Sequence, residues 1–99
     1  MPYVKKEDRD DVDPMIQRLQ TVLDPKFTQT GKVVYVVTRI VDDYVTGLIR
    51  ETGQGFESLS EGIKILECAK LEMYRRLLGP YEDTKAKTNG DVYVWPKGK

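Results

Sequence analysis

Tyr74, Arg75 and Arg76 stand just before Gly79-Pro80, and Tyr81, Glu82 and Asp83 follow directly after it. A guanidinium presents planar donors that match a carboxylate or a phosphate, and a tyrosine ring stacks on a base or another ring. Around a proline bend these six residues make a candidate pocket for a small anionic or nucleotide-like ligand. The competing reading is an intramolecular clasp: the arginines pair with Glu72, Glu82 or Asp83 while the tyrosines pack at the bend. The clasp carries the greater weight.

A second group is acidic: Glu7, Asp8, Asp10, Asp11 and Asp13, with Glu67 and Glu72 further on. All-helical Mg²⁺-dependent nucleotide pyrophosphohydrolases hold their metal with carboxylates on adjacent helices, because Mg²⁺ takes hard oxygen ligands. Those enzymes space their acids at helical intervals within a core. Here no Glu-Glu-x-x-Glu run occurs, and the acids of 7–13 precede a helix, where they suit its positive end. That enzyme is the alternative reading, and no catalytic residue, metal ligand or cofactor is assigned. Cys68 sits mid-helix beside Ala69, with Lys70 on another face, and is expected to be buried and inert. Phe27, Tyr35 and Tyr44 suit core packing, whereas Tyr93 and Trp95, close to the end of the chain, are candidate anchors at a subunit or partner interface.

Composition narrows the chemistry. The 99 residues include no histidine and one cysteine. The usual general base and zinc ligand are therefore missing, as is any intramolecular disulfide. Sixteen acids balance sixteen bases, which argues against a nucleic-acid or anionic-membrane coat. No helix carries the basic face of a DNA reader, and Gly53-Gln-Gly55 reads as a turn rather than a phosphate loop. No apolar run approaches the roughly 18–20 residues of a membrane span, and the charged opening residues do not resemble a secretory signal. The expected location is the cytoplasm.

Three helices must position these groups. Asp13-Pro14 opens the first, with Asp13 as N-cap; Met15, Ile16, Leu19, Val22 and Leu23 follow at helical spacing until Asp24-Pro25 ends it. Residues 32–45 are rich in β-branched side chains and so have strand character. Yet Val33, Val37, Ile40, Tyr44 and Leu48 recur at helical spacing without a turn signal before Gly53. Length arbitrates for one helix of about twenty residues. Ser58-Leu-Ser-Glu61 fits a capping box opening the third helix, whose stripe is Leu59, Ile63, Leu66, Met73 and Leu77. Glu61/Lys64, Glu67/Lys70 and Glu72/Arg76 are its expected charge pairs. Gly79-Pro80 must kink or end it. A short helical stretch over 81–88 then runs to a left-handed cap at Asn89-Gly90, and Val92 to Trp95 alternate like a short strand that pairs with Tyr3-Val4 or with a second subunit.

Several of these segments also carry a resemblance. Met1-Pro2-Tyr3, Glu7-Asp8-Arg9, Lys70-Leu71-Glu72, Tyr74-Arg75-Arg76, Pro80 to Asp83 and Asn89 to Tyr93 resemble a group of small uncharacterised bacteriophage and prophage proteins. The likeness spans nearly the whole chain. Met73 stands where those proteins have an aromatic residue, and Val94 to Lys99 extend past their usual end. The resemblance implies a helical fold and a phage setting, with the host cytoplasm as its location.

The expected protein is a single all-α domain over 1–99, with three main helices and the third kinked at Pro80. Its ends, 1–13 and 91–99, are extended or flexible. Two long amphipathic helices offer more apolar face than one small chain can cover, so a homo-oligomer is expected. A non-enzymatic binding protein acting on a host protein or a small anionic ligand is expected, with a purely structural phage accessory protein as a further alternative beside the enzyme.

Overall fold

A computed structural model describes residues 2–94. The chain is helical throughout its length, with no strand among the described residues. After an extended entry, a short 3₁₀ turn spans Lys6–Arg9. Helix α1 covers Asp13–Gln20, α2 covers Thr30–Thr52 and α3 covers Gly55–Met73. A π-helical turn, Tyr74–Leu78, joins α3 to α4, Gly79–Asn89, so that residues 55–89 form one bent third helix.

Helix α1 differs from expectation at both ends. Val12 takes the cap position and Asp13 is already helical, with no side-chain capping bond. The helix stops at Gln20 because the N–H groups of Thr21, Val22 and Leu23 reach back only three residues, to the carbonyls of Arg18, Leu19 and Gln20. Pro25 disfavours helical backbone at Asp24. Asp24 turns the chain instead: its carboxylate accepts the Lys26 N–H at 2.9 Å, and its own N–H donates to the Gln29 side chain at 2.8 Å.

In α2, length prevails over β-branched composition, and all 23 residues from Thr30 are one helix. Gly53 ends it in the left-handed conformation (φ 70°), donating to the Ile49 carbonyl at 2.8 Å. An L-residue pays about 1–2 kcal/mol to adopt that backbone. Gly53→Ala is therefore expected to lower stability by about 1 kcal/mol in a urea titration, although nothing crowds the added methyl.

The expected capping box does not form. Helix α3 starts at Gly55, and Ser58 lies one turn inside it, 4% exposed. Ser58 and Gly62 are instead the small residues on which α2 and α3 pack. A methyl on Gly62 would stand 2.9 Å from Val45 Cγ2 and 3.3 Å from Val41 Cγ1. Val45, 6% exposed, is the buried hydrophobic residue of this seam, alone of its kind among the described residues.

Pro80 neither ends nor breaks the third helix. Proline lacks an N–H and its ring crowds the preceding turn. The chain absorbs this by inserting one residue upstream: the Gly79 N–H donates to the Tyr74 carbonyl, five residues back. A π-bulge of this kind is a recognised source of helix bends. At the far end Gly90 has positive φ (94°) and donates to Ala86 at 2.9 Å, but its ψ of 140° lies outside the left-handed helical region. The expected strand is absent over 92–94, where Tyr93 N–H closes a turn on the Asp91 carboxylate. Trp95 lies outside the described residues.

The chain is open for its size. Its radius of gyration is 18.3 Å, against about 13 Å for a compact chain of 100 residues. Its 9058 Å² of accessible surface compares with roughly 5,800 Å² expected for a compact monomer of this mass.

Candidate functional site

The six residues around Pro80 divide among three surroundings. Successive residues fan around a helix at 3.6 per turn, so Tyr74, Arg75 and Arg76 leave in different directions. Arg75 turns back one turn and pairs with the Glu72 carboxylate. Arg76 donates through Nη1 to the Tyr3 hydroxyl at 3.0 Å, and that hydroxyl donates in turn to Glu72 Oε1 at 2.5 Å. The result is a four-residue relay, Arg76 to Tyr3 to Glu72, closed by Arg75. It fastens the extended N-terminal segment to the third helix. Arg9 adds a bond through Nε to the Val4 carbonyl at 2.7 Å.

The clasp thus forms with Glu72, as foreseen for one arginine, but its hub is Tyr3. The sequence offers Tyr3 only as one of two alternative strand partners, and nothing local in it links residues 69 positions apart. The Arg75 hydrogen bond, then the Tyr3 hydrogen bond, hold the Glu72 carboxyl below its ordinary range, against a partial desolvation that opposes them. The same pair raises the Arg75 guanidinium. Glu72 pairs with Arg75 at i+3, where the Arg76 pairing had been expected. The other two expected pairs are present: Glu61 with Lys64 at 4.0 Å and Glu67 with Lys70 at 2.8 Å.

Tyr74 and Tyr81 lie elsewhere. With Met73, Leu77, Leu78 and the stem of Lys70 they line an open hollow of about 560 Å³ whose walls are almost wholly apolar. The π-turn sits at its middle. It inserts one residue between the two tyrosines, and both still border the hollow. Lys85 Nζ lies 5.7 Å from the Tyr81 ring centre. Glu82 and Asp83 border a separate, more polar hollow of about 410 Å³, together with Tyr74, Lys85, Asn89 and Tyr93. Tyr74 is shared by the two hollows. Tyr93, expected at an interface, stands at the second.

The acids of 7–13 occupy the 3₁₀ turn and the start of α1. Among the described residues no three acids, cysteines or histidines stand close enough to hold a metal ion. Cys68 is half-buried, beside Pro2, Ile65 and Ala69. No helix among the described residues is long and apolar enough to cross a membrane.

The model of a family described as Domain of unknown function (DUF6899) matches residues 1–92, and the chain belongs to that family. No curated protein and no solved structure matches it.

Proposed function

We propose that this DUF6899 protein is a non-enzymatic binding protein that works as a homo-oligomer. In this reading it is phage-encoded and acts in the cytoplasm of the host cell, on a host protein. One observation carries the choice of target: both arginines of the candidate pocket are engaged by Glu72 and Tyr3, while Tyr74, Leu77 and Tyr81 open onto an apolar hollow. Apolar side chains flanking two tyrosines suit the apolar face of a partner helix. Lys85 at one edge selects acidic residues beside that face.

The second reading is a small anionic ligand, supported by the exposure of the Arg75 side chain. To bind Arg75, such an anion must displace Glu72.

Native mass spectrometry of gently purified protein, from bacteria with and without phage infection, separates the two. The expected result is a bound protein that is retained by Arg75→Ala/Arg76→Ala and lost in Tyr81→Ala/Leu77→Ala. A reproducible small adduct, lost in the double arginine variant, would replace this reading with the anion one.

A further inference from the structure

We infer that the outer face of α2 is the surface on which a second copy of this chain docks, helix against helix. The inference rests on the oligomeric part of the reading above and names the face that part leaves open. Val33, Val37, Ile40 and Tyr44 follow one another at intervals of four, three and four residues. This is the heptad spacing by which helices pair along their length. All four are exposed, Ile40 at 60%. They are not the residues that meet α3, because that seam uses Val41 and Val45 against Gly62. Helix α2 therefore carries two apolar stripes and has a neighbour for one. A helix apolar on so much of its circumference belongs in the interior of a bundle.

The area argues for a copy of the same chain. The surface exceeds that of a compact monomer by about 3,300 Å². If half of that whole-chain excess is buried on each of two copies, the interface is about 3,300 Å², within the range of obligate homodimers. A chain with one buried hydrophobic side chain among its described residues needs its partner whenever it is folded. The partner always present in equal amount is itself. An α2–α3 hairpin is half of a four-helix bundle, and a two-fold axis across α2 completes it. No charged residue interrupts the stripe, so two copies meet there without burying an unpaired charge.

Sedimentation equilibrium of the full chain tests this together with Ile40→Glu and, as a control, Ile63→Glu on α3, which borders the hairpin's own groove. The expected outcome is a mass at least twice the 11.4 kDa of the chain, falling to one chain mass in Ile40→Glu and unchanged in Ile63→Glu. Because a glutamate can unfold the chain, Ile40→Cys in a Cys68→Ala background supplies a second readout. Mild oxidation is expected to link two chains through position 40, and not through Val92→Cys. A folded wild-type monomer at micromolar concentration would overturn both the face and the oligomer. An oligomer that survives Ile40→Glu and fails to cross-link at position 40 would overturn the face alone. A chain that folds only with a host protein added would assign the face to that protein and overturn the inference.

Discussion

Gly62→Ala is expected to destabilise this protein, reversing the usual sign of a glycine-to-alanine change within a helix. Alanine ordinarily gains about 0.5–1 kcal/mol there, by reducing the freedom of the unfolded chain and through better helix propensity. At Gly62 the new methyl would lie 2.9 Å from one valine methyl and 3.3 Å from another, so α2 and α3 must move apart. Overpacking of this kind costs about 1–3 kcal/mol, and the seam has no second layer of buried side chains to absorb it. Urea unfolding followed by circular dichroism should show a lower midpoint. Gly31→Ala in the first turn of α2, whose methyl meets nothing within 4 Å, should not. A double-mutant cycle with Val45→Ala isolates the contact: coupling of about 0.5–3 kcal/mol is expected for side chains in direct contact. Independent, additive effects would mean that the two helices do not cross at this point.

Tyr3→Phe and Glu72→Gln are each expected to free the N-terminal segment from the third helix. The Tyr3 hydroxyl is the one group that both accepts from Arg76 and donates to Glu72. Phenylalanine keeps the ring and loses both bonds. Limited proteolysis within residues 4–12 should accelerate several-fold in either variant, while the far-ultraviolet helical signal stays near wild type.

The pH dependence has a defined sign. Glu72 is held below its unfolded pKa, so its contribution is complete above the ordinary glutamate value of about 4.3 and is lost as pH falls through the lower folded value. The difference in melting temperature between wild type and Glu72→Gln should be largest near neutral pH and vanish well below pH 4. A difference that grew on acidification would contradict the clasp. Exposure of the pair keeps the absolute effect small.

Much of the helical framework is legible in the sequence. The spacing of Val33, Val37, Ile40 and Tyr44 and the lack of a break before Gly53 identified α2 despite its valines. The pairs Glu61/Lys64 and Glu67/Lys70 follow from the third helix itself. The capping box at Ser58 misled, because the same small residues that cap helices also let two helices approach closely. Ser58 serves the second purpose. The end of α1 came early, through i−3 bonds that Asp24 and Gln29 stabilise from beyond the helix. At Gly79-Pro80 the sequence predicts a kink and the third helix is bent there, but that a π-turn over Tyr74–Leu78 makes the bend has no local signal.

Apolar period, proline and glycine punctuation and i+3 charge pairs act over about four residues, and a chain read in order displays them directly. They set the three helices and the stop at Gly53, and they bring Glu72 within reach of an arginine without choosing Arg75 over Arg76. Close approach between distant segments has no such local code. It selected the stripe holding Val41 and Val45, rather than that of Val33 to Tyr44, to meet α3. It placed the Tyr3 hydroxyl between Glu72 and Arg76, and with the π-turn it divided Tyr74 to Asp83 between a clasp and two hollows. Packing made those choices, because a helix with two apolar stripes buries whichever one its neighbour's small residues fit.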